Sequence, residues 1–193
     1  AANKQLEVDA LTNLPNEKVC KTQLKQLLTI FDSSDTRLAV AVLDITNLRQ
    51  INNSIGHSIG DTLLAGIAER LRSMLDAKEY VYRLQGHEFA LVKHSEFPRD
   101  LDIFKERILQ AMTTEFDIND YRIAVDCALG LAVAPFDGDT HDELFKHAHL
   151  ALQHVKKHRI NAACYYEPYM KALEEERYFY INALKSAINE QQF

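Results

Sequence analysis

The sequence of 193 residues predicts an α/β fold, a central mixed β-sheet surrounded by helices. Three observations predict it. The stretch "RLAVAVLDI" (37–45) is an almost unbroken apolar run, as expected of a strand buried on both faces. Apolar residues recur at helical spacing in segments lying between strand-like runs, which places helices over a sheet. In "YRLQGHEFALV" (82–92) two strand-like runs meet at Gln85, Gly86, His87 and Glu88, which predicts a β-hairpin displaying polar groups at its tip.

Taken in chain order, 16–32 sets Val19, Leu24, Leu27, Leu28 and Phe31 at helical spacing after Pro15, which suits an early helix position. After the strand at 37–45, the segment 59–75 is an amphipathic helix with Leu63, Leu64, Ile67, Leu71 and Leu75 on one side. The hairpin covers 79–94, and a helix is expected near 99–114. One long strand is expected over 121–134, then a helix over 141–157, a short strand over 162–166 and a last helix over 168–189. No internal repeat or low-complexity linker interrupts the pattern. A single domain over 9–167 is therefore expected, with a linker or helix over 1–8 before it and a helical connector over 168–193 after it. The chain opens Ala-Ala-Asn-Lys without Met and reads as part of a longer polypeptide.

Composition removes several classes of function. The net charge of -6 and pI near 5.7 argue against a nucleic-acid partner, because neutralising phosphates demands clustered Lys and Arg. The one basic cluster, at 156–159, suits a helix C-terminus. Cys20, Cys127 and Cys164 are odd in number and far apart, which fits a reducing compartment and no disulfide framework. No apolar run reaches bilayer-spanning length and no signal-peptide pattern opens the chain. A cytoplasmic location without membrane contact is expected of this segment, whether or not the full-length protein is membrane-anchored.

Asp44 ends the buried strand, where α/β sheets present ligand groups, and a carboxylate there can hold Mg²⁺. Asp44 or Thr46 could equally cap a following helix. In "INNSIGHSIGD" (51–61) the absence of a Gly-Lys-Ser/Thr ending rules out a Walker A loop. Asn52 and Asp61 offer an amide and a carboxylate suited to a guanine edge, or else an Asx turn and a helix N-cap. His87-Glu88 does not open a metalloprotease HExxH motif, because the fifth position is Leu91 and the segment is strand-like. His154 and His158 are spaced to share a metal but have no Cys or carboxylate beside them, which suits a solvated helix face.

Together these segments resemble the GGDEF domain of diguanylate cyclases. "DALTNLPN" (9–16) is similar to that family's DxLTGLPNR opening, and "LDITNLRQINNSIGHSIGD" (43–61) to its DxDxFKxINDxxGHxxGD segment. "YRLQGHEFALV" stands where YRYGGDEFxxL is expected, and 126–152 is similar to TxSxGxAxxPxDGxxxxxLxxxADxAL. The resemblance implies a nucleotide cyclase-like fold with the signature on the β-hairpin, GTP as ligand with Mg²⁺, guanine contacts from Asn52 and Asp61, phosphate contacts from Arg49 and Lys156, and metal binding by Asp44. The tail "EERYFYINALKSAINEQQF" resembles the helix that joins a GGDEF domain to an EAL phosphodiesterase domain. A C-terminal EAL domain in the full-length protein and a homodimer are the partners this implies.

The departures from the family are specific. Its Gly-Gly-Asp/Glu-Glu-Phe signature is here Gln85, Gly86, His87, Glu88 and Phe89, so the metal-binding carboxylate is replaced by an imidazole. The second acidic position after the strand is Thr46, the Phe is Leu48, and a late Gly and Arg become Arg159 and Ile160. The positions of the inhibitory RxxD site carry Asp76 and Glu79, so that site is expected to be absent. The expected function is a catalytically degenerate GGDEF domain of cyclic di-GMP signalling that binds GTP and regulates an adjacent EAL domain. A weakly active diguanylate cyclase and a nucleotide-free interaction module are the alternatives.

Overall fold

The apolar run at 37–45 forms strand β1 (Arg37–Ile45), buried along all but its first residue because helices cover both of its faces. In the computed structural model, which describes residues 7–30, 36–158 and 162–190, β1 is the middle strand of a five-stranded mixed sheet. Antiparallel neighbours flank it on both sides, β3 (Glu88–Ser95) and β6 (Cys127–Ala134). Beyond β3 lies β2 (Glu79–Arg83), completing the expected hairpin. Beyond β6 lies β7 (Ala162–Tyr165), the one parallel neighbour.

Six helices are described. α1 (Glu17–Ile30) and α5 (His141–His158) cover one face of the sheet, and α3 (His57–Met74) and α4 (Pro98–Thr113) cover the other. The short α2 (Leu48–Ile55) leads from β1 into α3, and α6 (Pro168–Glu190) ends the described chain. Strand alternation sorts the core. Ala41, Leu43 and Ile45 pack with Leu63, Ile67 and Leu71 of α3 and with Phe104 and Ile108 of α4. Val40 and Val42 face the other way, onto Leu24 of α1 and Leu144, Ala148 and Leu152 of α5. Each fully buried Val, Leu, Ile or Phe among them contributes about 1.5–3 kcal/mol. Asp44 has the parity of Val40 and Val42, so it emerges on the α5 side.

Gly130 sets how closely α5 lies on the sheet. A Cβ at this position of β6 would stand 2.2 Å from the Ala148 carbonyl oxygen and 2.3 Å from the Leu152 nitrogen. The helix backbone thus rests on the strand backbone, which brings its side chains within reach of the end of β1.

The structure corrects several sequence expectations. The long strand expected over 121–134 is divided. Its first part, β5 (Tyr121–Ile123), pairs with β4 (Phe116–Ile118) in a separate two-stranded ribbon, and β6 begins only at Cys127. Asn47 holds the break: its amide donates to the Ala124 carbonyl (3.2 Å) and its side-chain oxygen accepts from the Asp126 N–H (2.9 Å). The helix expected from 59 starts at His57, and α2 was not anticipated as a separate element. Phe31, Arg159 and Ile160 lie outside the described residues, as do residues 1–6 of the expected N-terminal linker. Along α6, Tyr178 (65% exposed), Phe179 (72%) and Leu184 (63%) project away from the body. Among the described residues no helix is long and apolar enough to cross a membrane.

Candidate functional site

The turn between β2 and β3 is built around Arg83. Its buried guanidinium donates to the carbonyls of Gly86 and Glu88 and lies over the Phe89 ring, 4.9 Å from the ring centre. Gly86 takes a left-handed φ of +61° at the tip. The backbone N–H of Arg83 donates to the Pro15 carbonyl (2.8 Å), which docks the "DALTNLPN" opening against the hairpin. In that opening Asp9 accepts from both the N–H and the hydroxyl of Thr12. Burial pushes the Arg83 pKa below its ordinary value, and the charges of Asp9 and Asp61 oppose that shift.

Asp44 is fully buried at the end of β1, directly opposite Glu88 in the β1–β3 ladder. Lys156 of α5 donates to its Oδ2, and His87 Nε2 stands 3.0 Å from its Oδ1. The His87 approach is within ion-pair distance but poorly aligned, so Oδ1 has no hydrogen bond. Glu88 Oε2 accepts from His149 Nε2 at 3.1 Å, and His149 Nδ1 meets the Phe145 carbonyl at 2.9 Å. Both ring nitrogens of His149 thus face acceptors, an arrangement only the imidazolium satisfies. The hydrogen bond to Glu88 accordingly raises the His149 pKa, against the opposing effect of burial. For Glu88 burial pushes the pKa up, yet the bond from His149 and the nearby charges of His149, His87 and Lys156 outweigh it and hold the carboxyl below its ordinary range.

Beside this cluster runs a groove of about 580 Å³, lined by Thr46, Arg49, Gln50, Asn53, Asp126 and Lys156. Arg49 of α2 and Lys156 of α5 therefore line one groove. Asn52 sits half-buried on α2 with its Oδ1 unbonded, and a Cβ at Gly60 would lie 1.7 Å from that oxygen. Asp61 is exposed in the second turn of α3, since that helix begins at His57; the N-cap and Asx-turn readings of Asp61 and Asn52 do not hold, because both residues lie inside helices. Gln85 does not line this groove. It is exposed and lines a separate depression with Asp9, Asn16, Glu17 and Lys18.

Asp76 and Glu79 are turned into the protein's own ion pairs. Arg107 of α4 reaches Asp76 at 2.9 Å and Glu79 at 2.9 Å, and Lys93 of β3 donates to Glu79 at 2.8 Å. The rings of His154 and His158 lie 5.1 Å apart on α5. Among the described residues no group of three or more His, Cys, Asp or Glu side chains is arranged to hold a metal ion. The residues around Asp44 do not fit Mg²⁺ either, which demands hard oxygen ligands in an octahedral set. One Asp44 oxygen bonds Lys156, the other faces an imidazole, and Glu88 is engaged by His149.

Sequence reasoning missed Arg83 and His149. Arg83 lay inside the quoted hairpin, but only the fold shows that its side chain closes the turn. His149 had a visible signal: it occupies the Asp of the family's ADxAL segment and lies seven residues, two helical turns, before Lys156 on the same face.

A family model described as "Diguanylate cyclase, GGDEF domain" matches residues 6–162. MucR of Pseudomonas aeruginosa, named a bifunctional diguanylate cyclase/cyclic di-GMP phosphodiesterase, is 30% identical over 184 residues, covering 95% of this chain and 27% of that protein. Diguanylate cyclase DgcP of Escherichia coli is 29% identical over 157 residues, covering 80% of this chain and 46% of that protein. Among solved structures, the GGDEF domain of TpbB (YfiN) from Pseudomonas aeruginosa matches with a TM-score of 0.81 at 27% identity, covering 87% of this chain and 99% of that one. The chain spans less than half the length of these two curated relatives.

Proposed function

We propose a function on one premise: the chain belongs to the GGDEF domain family. The domain binds GTP without condensing it to cyclic di-GMP, and its occupancy regulates an adjoining EAL domain. The observation that carries the loss of catalysis is His87. It stands at the signature position where the family resemblance calls for a carboxylate, and it faces the buried strand-end Asp44 at 3.0 Å. Position 87 thus offers no carboxylate to join Asp44 in activating a 3′-hydroxyl beside a metal-bound triphosphate, and Glu88, opposite Asp44, is engaged by His149.

Binding is supported by different residues. Arg49 and Lys156 line one groove, and two cations there suit a phosphate chain. Asp61 keeps an exposed carboxylate for a guanine edge, and the unbonded Asn52 oxygen, buried toward Gly60, would join it only by turning outward. Coupling to a neighbour is supported by α6, which packs on α5, the helix that carries Lys156, and leaves its aromatic residues exposed. MucR, named as bifunctional, gives the precedent for two activities in one chain.

Calorimetric titration of GTP, with ATP as the control and chromatography of the same samples for product, tests this reading. GTP binding in preference to ATP with no cyclic di-GMP is expected. Formation of cyclic di-GMP would show instead a weak cyclase, and absence of heat and product would leave an interaction module.

A further inference from the structure

Asp44 and Glu88 stand directly opposite each other on neighbouring antiparallel strands. Like charges in that register repel, and where one of them is fully buried the repulsion must be met by positive charge. In this chain the protein meets it with its own bases. Lys156 and His87 face Asp44, and His149 faces Glu88. Lys156 and His149 project from one face of α5, which Gly130 allows to lie against the strand backbone. Two acids on the sheet thus face two bases on the helix, with His87 closing the remaining side from the hairpin.

The geometry points to a phosphate-binding site that works without a divalent cation, in which Lys156 and Arg49 meet the phosphates of a nucleoside triphosphate directly and His87 keeps metal from Asp44. Lys156 carries three donors, only one of which is committed to Asp44, and its side chain is 41% exposed toward solvent. Asp44 Oδ1 is the one oxygen of that carboxylate without a hydrogen bond, and the imidazole that fronts it is a poor ligand for Mg²⁺. The phosphate half of this inference rests on the GTP-binding reading, whereas the exclusion of metal does not.

The test has two independent arms. In the first, Mn²⁺ is titrated into the nucleotide-free protein and bound ion is followed by electron paramagnetic resonance. No one-to-one site is expected up to about 1 mM; a stoichiometric site below that limit overturns the exclusion. His87→Asp, a change in an exposed turn, is expected to bring such a site at least about tenfold below the limit, and no gain would overturn the role given to His87. In the second arm, GTP is titrated once with Mg²⁺ and once with EDTA in its place. The two dissociation constants are expected to agree within about threefold, and a larger loss in EDTA overturns metal-free binding. Absence of GTP heat in both buffers overturns the nucleotide reading itself, while the Mn²⁺ arm still decides whether the bases exclude metal.

Discussion

The two ends of the β2–β3 hairpin both bury acidic groups, and they hold them in different ways. At the open end Glu79 accepts from Lys93 (2.8 Å), from Arg107 (2.9 Å) and from the Asp76 N–H (2.8 Å). Burial pushes the Glu79 pKa up, and these bonds and charges outweigh it and bring it below the ordinary value. At the turn end Asp44 is equally buried, but Oδ1 has no hydrogen bond and the bases around it, His87 and Lys156, have side chains 47% and 41% exposed. A carboxylate with every partner in place has one arrangement and fastens β2, β3 and α4 together. A carboxylate whose bases reach into solvent can exchange them, and that capacity is what a ligand site needs.

The largest expected effect falls on the fastened end. Glu79→Ala leaves Lys93 and Arg107 without their shared acid, and a loss of about 3–5 kcal/mol is expected in urea unfolding. A loss under about 1 kcal/mol would remove the distinction between the two ends. Gly130→Ala comes next and acts on the turn end alone. The added Cβ collides with the backbone of α5, so about 2–3 kcal/mol of stability is expected to go. GTP affinity is expected to fall with it, because α5 carries Lys156 away from the groove. An equal effect of Glu79→Ala on GTP affinity would show that the two ends are not independent.

Much of the fold was legible in the sequence, and the parts that were not have physical reasons. β1, the hairpin and the covering helices follow from periodicity, because burial on two faces, or on one stripe, dictates apolar spacing directly. The division of the 121–134 strand was not legible, because Asn47, far away in sequence, holds the break with two side-chain hydrogen bonds. At the site, Asp44 was marked by its place at a strand end and His87 by departure from the family signature. The pairing of His149 with Glu88 needs the placement of α5 on the sheet, which depends on a glycine whose role no local pattern reveals. Asp76 and Glu79 were read only as a missing inhibitory site. Their ties to Arg107 and Lys93 depend on how α4 packs, which is tertiary information.

Lys156→Met acts at the turn end on a smaller scale. It strands the buried Asp44, but the exposure of the lysine tempers the loss to about 1–2 kcal/mol. GTP affinity is expected to fall about tenfold in the same variant, a loss of the same size as that in folding, whereas Glu79→Ala is expected to cost folding and leave binding unchanged.

The smallest effect, and the one that reads charge directly, is His149→Gln. The His149 pKa is raised above its ordinary 6.5, so its contribution is complete below that pH and is lost as pH rises through the folded-state value. Glu88 is shifted below its ordinary 4.5, so its contribution is present above that pH and is lost as pH falls through the lowered value. The two windows overlap at mildly acidic pH. There the variant is expected to be less stable than the parent by about 0.5–1 kcal/mol, a modest figure because both side chains are partly exposed. Urea midpoints near pH 5.5 and at mildly alkaline pH should show the deficit shrinking as the imidazolium is lost. A deficit that stays constant with pH would mean that His149 supports Glu88 by packing alone, and the turn end would then be less electrostatic in character than its geometry indicates.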